Sequence, residues 1–286
     1  MHSPVQVVTE KAILRRMVQL PDASADRMQT VHEYPVPAEA FALWFLGQNG
    51  FLLKTHAGTR IAIDPYLTNS CAERHQGYAL DLNRVTPIPI RPEHLEVDYV
   101  VFTHSHEDHL DLDTIRELPN APTLIAPWEA MEKLRELNLP EDRLILLHPQ
   151  QTVQASDTAI QGIFAFPTDR TDVNHIGVLF TIPGEIRFYN TGDTAYSPLL
   201  ADLLPEKVDI CAICINGGFR NLSHGEAARI ISTIAPDIAV PTHFDVMACN
   251  LGNPEMFRAA LIHENSSSRY CRMDTDHFFL YEKRTP

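Results

Sequence analysis

The sequence predicts an α/β fold in which two mixed β-sheets pack face to face between outer helices, an αββα sandwich. The chain has 286 residues, of which 44% are hydrophobic, and this is enough for one large buried core. Short strand-like runs fall into two β-rich halves, and helical patterns lie between and after them. Residues 41–286 are therefore predicted to form a single domain, and residues 1–40 to form an arm packed on it.

The first half is predicted to begin with antiparallel strands. Residues 41–46 and 51–55 flank the turn Gly47-Gln48-Asn49-Gly50 as a hairpin, and residues 60–64 follow as a third strand. A helical pattern at residues 10–20 precedes this sheet. Residues 68–92 have no periodicity, so they are predicted to form a long loop before the strand 99–102.

The rest of the chain alternates helical and strand-like patterns. Pro127 lies near the first turn of a predicted helix, and Pro183-Gly184 is typical of a turn between two strands. The predicted helices cover residues 113–118, 127–137, 224–234 and 254–262, and the predicted strands 144–147, 159–166, 176–182, 186–189, 208–215, 238–240 and 277–281.

A cluster of metal-ligand residue types follows the strand 99–102. In a chain leaving a strand, residues two apart point the same way, so His104 and His106 can bind one ion. Asp108 and His109 come after the chain has begun to turn and can face a second position about 3.5–4 Å away. The alternative is that these histidines are merely solvated or cap the next helix. Three histidines and one aspartate in this order are not typical of solvated or capping residues.

Two later strand ends carry further candidates. Asp193 in Thr191-Gly192-Asp193-Thr194 is a carboxylate that can bridge two ions, and His243 follows the strand 238–240. The structural alternative for Asp193 is a turn aspartate or a helix cap, and the alternative for His243 is a partly buried surface histidine. Asp64 ends the third strand and is expected to orient a metal-binding histidine rather than to bind metal itself.

The stretch His104 to His109 matches HxHxDH, and the chain resembles the metallo-β-lactamase superfamily. Within it, residues 41–257 look like the L-ascorbate-6-phosphate lactonase (UlaG-like) family. The fold implied is the metallo-β-lactamase sandwich, with residues 41–286 as its hydrolase domain. The narrower resemblance rests on Ala42-Leu43-Trp44-Phe45-Leu46-Gly47, Ile63-Asp64-Pro65-Tyr66, Phe166-Pro167-Thr168-Asp169-Arg170-Thr171, Gly192-Asp193-Thr194-Ala195-Tyr196-Ser197 and Pro241-Thr242-His243-Phe244-Asp245.

The resemblance leaves the last ligand of the first ion open between Asp169 and His175. Most members of the superfamily have a histidine after the strand that ends here at Phe166, whereas this chain has Asp169, as the lactonases do. A carboxylate would shift the preference of the site from Zn²⁺ towards Mn²⁺. His175 would give an all-imidazole site, although its place at the start of a strand favours a structural role.

The predicted function is a hydrolase that uses a metal-bound hydroxide. One or two divalent ions, Mn²⁺ or Zn²⁺, would activate the water, and Asp108 would orient it and relay a proton to the leaving group. The resemblance implies a lactone substrate, such as a sugar-phosphate lactone or a related small anionic lactone or ester. A metal-dependent phosphodiesterase and a catalytically idle metal-binding scaffold are the alternatives.

Candidate substrate contacts lie in turns at the same edge. Arg220 is the preferred one because it follows a glycine pair and can grip an anion through two parallel hydrogen bonds, although a salt bridge to an acidic residue is its structural alternative. The other candidates are Arg170, Asn216, Tyr66, Gln48 and Asn49.

Composition excludes several partners. The net charge of −14 and the lack of a dense basic run argue against nucleic-acid binding, which leaves a small-molecule substrate as the expected partner. No apolar run approaches the roughly 18 residues of a membrane span, and no secretion signal is evident, so a cytoplasmic protein is expected. The five cysteines are an odd, scattered set and are expected to be reduced thiols. A homo-oligomer is the expected assembly by resemblance.

Overall fold

The computed structural model describes residues 17–283, and two β-sheets dominate it. The first sheet has eight strands in the order β1-β15-β2-β3-β4-β5-β6-β7. It is antiparallel from β1 to β4 and parallel from β4 to β7. Its strands are β1 (Met17–Gln19), β2 (Ala40–Gly47), β3 (Gly50–Thr55), β4 (Arg60–Ile63), β5 (Tyr99–Val101), β6 (Thr123–Ala126), β7 (Leu144–Leu146) and β15 (His277–Glu282).

The second sheet has seven strands in the order β14-β13-β12-β11-β10-β9-β8. Strands β8 to β11 pair in antiparallel fashion, and β11 to β14 are parallel. The strands are β8 (Thr152–Ala155), β9 (Thr158–Phe164), β10 (Ile176–Ile182), β11 (Ile186–Asn190), β12 (Ile210–Cys214), β13 (Ile238–Thr242) and β14 (Arg269–Tyr270).

Helices cover the outer faces of both sheets. Local sequence fixes several helix starts: Asp111 caps the helix 112–117, and Ser223 and Glu226 form a reciprocal capping box at the helix 224–234. None of the helices within residues 17–283 is long and apolar enough to cross a bilayer. The helices are α1 (Ser24–Glu33), α2 (Ser70–Arg74), α3 (Leu112–Glu117), α4 (Trp128–Arg135), α5 (His224–Ile234) and α6 (Pro254–His263), with 3-10 turns at Pro92–His94, Glu141–Arg143, Pro198–Leu203 and Ala248–Asn250.

Three apolar layers hold the sandwich together. The central layer lies between the sheets and includes Phe41, Phe51, Phe180 and Phe188. A second cluster fills the space between the first sheet and α1, α3 and α4, and a third lies between the second sheet and α5 and α6. The predicted αββα arrangement of two mixed sheets flanked by helices is confirmed.

Element boundaries differ from the predictions in a few places. The helical prediction at residues 10–20 is wrong where it can be compared, because Met17–Gln19 pairs with β15 as an edge strand; residues 10–16 lie outside the described part. The next helix, Ser24–Glu33, was not predicted. Only Met28 and Val31 of its apolar residues are buried, so its apolar pattern is sparse.

The topology brings loops from both sheets to one edge. The chain leaves β4 and β5 of the first sheet, and β11 and β13 of the second, at the carboxyl ends of parallel strands. The turn between β2 and β3 and the start of β10 reach the same edge, where Gln48 contacts His243 and Ile176 bonds to Thr103. Candidate ligands that are far apart in sequence therefore meet there.

Candidate metal centre

His104 and His106 face the same point directly after β5. The Nε2 atom of His104 lies 3.0 Å from Nδ1 of His106, and the His104 side chain is fully buried. This agrees with the expected side-by-side orientation of two residues two positions apart.

His175 completes this first group. Its ring centroid lies 4.1 Å from that of His104 and 5.3 Å from that of His106. Its Nδ1 is 3.1 Å from the carbonyl oxygen of Asp193, to which it donates, whereas its buried Nε2 has no hydrogen bond to the described residues. One nitrogen of each of the three rings lies within 4.8 Å of the others. The geometry thus gives His175 a place among the donors, contrary to the structural role expected from its strand position.

Asp169 lies outside that group. Its side chain is 47% exposed, and its Oδ1 accepts hydrogen bonds from the backbone nitrogen and the hydroxyl of Thr171. Its Oδ2 is 3.3 Å from Nε2 of His106, on the opposite side of that ring from Nδ1. Asp169 is therefore placed to orient His106, and the expectation that it directly replaces a third histidine is not supported by the geometry.

A second group adjoins the first. Asp108, His109 and His243 offer donor atoms within 4.8 Å of one another. Oδ2 of Asp108 lies 3.2 Å from Nε2 of His243 and 3.7 Å from Nε2 of His109. The geometry agrees with the predicted turn of the chain after His106.

Asp193 lies between the two groups. Its Oδ1 is 3.4 Å from Nε2 of His109 and 3.3 Å from Nε2 of His243, and it joins a further set with His104 and His109. The Oδ1 atom is buried without a hydrogen bond to the described residues, while Oδ2 accepts a 2.6 Å bond from Asn221. This carboxylate thus has one oxygen fixed by an amide and the other facing both groups of donor atoms.

Asp64 orients His109 from behind. This fully buried carboxylate accepts from Nδ1 of His109 at 2.8 Å, from the amide of Asn49 and from both the backbone nitrogen and the hydroxyl of Thr103. The contact leaves Nε2 of His109 facing the site, where it has no hydrogen bond to the described residues. Asp64 is thus placed to orient the ring of His109 from behind, as the sequence predicts for it.

Burial and neighbouring charges tune the site. Burial lowers the pKa of His104 and of His175, so both rings are held neutral, as ligands must be. Burial alone would raise the pKa of Asp108, but the charges of His109 and His243 reverse this and hold it well below its usual range. Burial also opposes charge on His109 and His243, yet the carboxylates of Asp193 and Asp108 raise the pKa of both imidazoles.

A cavity of about 680 Å³ opens over the two groups, and both predicted arginines line it. Arg170 and Arg220 are exposed and form no ion pair within residues 17–283. Arg220 and its neighbour Phe219 both have left-handed backbones, with φ of 66° and 54°. The salt bridge considered as the structural alternative for Arg220 is thus not present among these residues.

Two other predicted substrate contacts lie outside the cavity. Tyr66 is 1% exposed and packs behind Cys71, which itself lines the cavity. Asn216 donates to Asn250, which is 2.8 Å from Nδ1 of His243, so it supports the site indirectly. The expectation that these two side chains touch the substrate is therefore not supported by the geometry.

Sequence reasoning missed several residues of the cavity. Lys133 reaches it from α4, with its ammonium 2.7 Å from the carbonyl of Ser105. Cys71, Leu82 and Met247 form an apolar wall. None carries a local motif; only the packing of α4 and of two distant loops brings them to the site.

Comparisons with known proteins identify the family of this chain. Residues 42–243 match the family model described as the beta-lactamase superfamily domain. The chain is 30% identical over 234 residues to a UPF0173 metal-dependent hydrolase of Anaeromyxobacter sp. (strain K), covering 76% of this chain and 79% of that one. It is 24% identical over 299 residues to a Salmonella heidelberg (strain SL476) protein named "Probable L-ascorbate-6-phosphate lactonase UlaG", covering 90% of this chain and 83% of that one.

A solved structure shows the same fold. Igni18, described as a novel metallo hydrolase from Ignicoccus hospitalis KIN4/I, superposes with a TM-score of 0.67 at 18% identity, covering 86% of this chain and all (100%) of that one.

Proposed function

The chain belongs to the β-lactamase superfamily, as its motifs predict, and on that premise we propose that it is a metal-dependent hydrolase opening small anionic lactones or related esters. The observation that carries the proposal is the convergence of two adjacent donor groups below one cavity. The seven donor residues come from four separate segments of the chain, and the fold brings them to one edge of the sandwich, as a two-metal site requires.

The residues present fit two divalent ions. Buried donor atoms of His109, His175 and Asp193 have no hydrogen bond to the described residues, a costly arrangement that bound cations would relieve. His104, His106 and His175 would hold one ion, and Asp108, His109 and His243 the other, with Asp193 between them. When bound, such ions lower the pKa of water towards neutrality and stabilise negative charge on oxygen.

The donor types support a choice between the two candidate ions. Three imidazoles suit Zn²⁺ at the first position, whereas the manganese preference rested on a carboxylate from Asp169. With Asp169 behind His106, we propose Zn²⁺ for the first position and keep Mn²⁺ as the tested alternative.

Asp108 is the residue that we assign to proton transfer. Its Oδ2 contacts His243 and the amide of Gln48, whereas Oδ1 makes no hydrogen bond to the described residues, and one fifth (20%) of the side chain is exposed. Oδ1 can therefore accept the proton of the attacking water and pass it to the leaving alkoxide of the opened ring.

The cavity walls support an anionic substrate with an apolar part. The guanidinium groups of Arg170 and Arg220 can grip a carboxylate or phosphate through paired hydrogen bonds. Met247, Cys71 and the half-exposed ring of Phe219 add apolar surface to the same cavity. A lactone or ester with one anionic group and a short apolar segment matches both features.

Hydrolysis assays after reconstitution with Zn²⁺ or Mn²⁺ test the proposal, on a panel of simple lactones, sugar-phosphate lactones and phosphodiesters. We expect metal-dependent ring opening that His106→Ala abolishes. Arg220→Ala should raise KM about 10- to 100-fold with little change in kcat, the loss expected for charge-assisted hydrogen bonds of about 1.5–3 kcal/mol. Arg91→Ala, at an exposed arginine outside this cavity, is the matched control.

Each other outcome is informative. Turnover of phosphodiesters alone would replace the lactonase proposal with a phosphodiesterase. Bound metal without turnover of any class would favour the idle scaffold. Retained turnover in His106→Ala would contradict the metal mechanism altogether.

A further inference from the structure

Gln48 links the first hairpin to the second metal-ligand group through its backbone. It lies in the turn between β2 and β3 with a left-handed φ of 57°. Its backbone nitrogen donates to Oδ1 of Asp245 at 3.1 Å, and its carbonyl oxygen accepts from the backbone nitrogen of His243 at 2.7 Å. Two hydrogen bonds of the Gln48 backbone thus hold this strained turn against the loop that carries His243.

The side chain of Gln48 enters the second group itself. Its amide Nε2 lies 2.7 Å from Oδ2 of Asp108 and 3.2 Å from Nε2 of His243. The residue is 1% exposed, and its Oε1 has no hydrogen bond to the described residues. A buried amide therefore touches two donor atoms assigned to one ion while its own oxygen lacks a partner.

The 3.2 Å separation from His243 is typical of two ligands of one ion, whereas the 2.7 Å separation from Asp108 is a hydrogen-bond length. With metal–ligand bonds of about 2.0–2.2 Å, two ligands of one ion lie about 3.0–3.5 Å apart. The amide head group occupies such a position, and a half-turn of its terminal torsion exchanges nitrogen for oxygen, since the two are assigned from hydrogen bonds alone. Only the oxygen can bind a cation, because the amide nitrogen has no available lone pair.

We propose that Gln48 binds the second ion through Oε1. The inference rests on the two-metal centre of the proposed function. The half-turn of the amide removes an N–H group that would compete with the ion for the lone pair of His243 Nε2, and it exchanges the hydrogen bond to Asp108 for a shared cation.

The two metal positions then differ in chemistry. The first has three imidazoles and the shared Asp193, a set that suits tetrahedral Zn²⁺. The second gains an amide oxygen beside the carboxylates of Asp108 and Asp193 and the rings of His109 and His243. Five donors, three of them oxygen, favour a harder ion with a higher coordination number.

Stepwise titration of the metal-free protein with Co²⁺ tests this assignment without any activity assay. The d–d absorption of Co²⁺ reports ligand number at each position, and calorimetry gives the affinity of each step. Gln48→Asn keeps an amide that is one methylene too short, and Gln48→Gly suits the left-handed backbone, so the turn should survive. Gln76→Asn, at an exposed glutamine, is the matched control.

In wild type and in Gln76→Asn we expect two binding steps. Both Gln48 variants should retain the first step and weaken the second by about tenfold or more, with a changed absorption band for the second ion. Weakened binding with an unchanged band would overturn direct ligation, because Gln48 would then only position Asp108. Wild-type affinity and spectrum in both variants would also overturn it. If wild type binds no Co²⁺, the metal centre itself fails, and this inference fails with it.

Discussion

The substitution Asp64→Asn probes how far the fold depends on the carboxylate behind the metal centre. Asp64 accepts four hydrogen bonds at 0% exposure: Oδ1 from the backbone nitrogen of Thr103, and Oδ2 from the Thr103 hydroxyl, Asn49 and His109. Asparagine keeps the shape but offers one acceptor oxygen and one NH₂ group. In either orientation, the new NH₂ group of the asparagine faces at least one of the N–H or O–H groups that donate to Asp64 in the wild type.

The expected loss of stability is estimated from the amide orientation that breaks the fewest hydrogen bonds. With its oxygen at the Oδ2 position, the new amide opposes only the backbone N–H of Thr103 and leaves two buried donors without acceptors. At about 1–3 kcal/mol for each such group, the free energy of unfolding should fall by about 3 kcal/mol. For a domain of this size, that lowers the melting temperature by roughly 6–12 °C. The less firmly held His109 should also bind metal about 10- to 100-fold more weakly.

Thermal melts of the metal-free proteins measure the first effect, and calorimetric metal titration measures the second. Asp142→Asn, at an exposed aspartate, is the control and should melt within about 1–2 °C of wild type. If Asp64→Asn has the melting temperature of the control and the metal affinity of the wild type, the hydrogen bonds of Asp64 neither stabilise the fold nor orient His109 as described.

Three further predictions concern the same site. His175→Ala should weaken binding of the first ion much more than Asp169→Ala does, in metal titrations; equal losses would contradict the assignment of His175. Gly192→Ala should lower the free energy of unfolding by about 2 kcal/mol or more, because the φ of Gly192 is +58° and the new Cβ would lie 2.8 Å from Cβ of Thr103. Gly58→Ala, which has open space around it, should lower it by only about 1 kcal/mol, and urea midpoints measure the two losses. In the metal-free protein, the raised pKa values of His109 and His243 stabilise the fold fully below about pH 6.5, and this stabilisation is lost as pH rises through the raised values. The urea midpoint should therefore fall with pH above about 6.5, and it should fall less steeply in His243→Asn. Equal slopes in the two proteins would refute this prediction.

Much of the fold could be predicted because local patterns were strong. The helix at residues 224–234 and the strand at residues 176–182 have the predicted limits, since a capping box and a continuous apolar run mark them. Thr152–Ala155 and Arg269–Tyr270 were not predicted as strands. Both lie at the edges of the second sheet and are only partly buried, so pairing with a neighbour rather than an apolar pattern makes them strands.

The candidate site could be predicted only in part from the sequence. His104 to His109 are close in sequence, so their spacing alone could predict convergence. His175 could not be separated from Asp169, because the loop between β9 and β10 decides which side chain turns inwards. Gln48 was only one of several turn residues, and its contact with His243 depends on a backbone pairing across 195 positions of the chain.

Four segments of this chain are proposed to build a two-ion centre, and the metal content of the reconstituted protein tests this most directly. Elemental analysis after dialysis against Zn²⁺ or Mn²⁺ and removal of free metal should give two ions per chain for wild type and about one for His106→Ala and for His243→Ala. Wild-type protein that retains no metal, or variants that retain as much as wild type, would contradict the account.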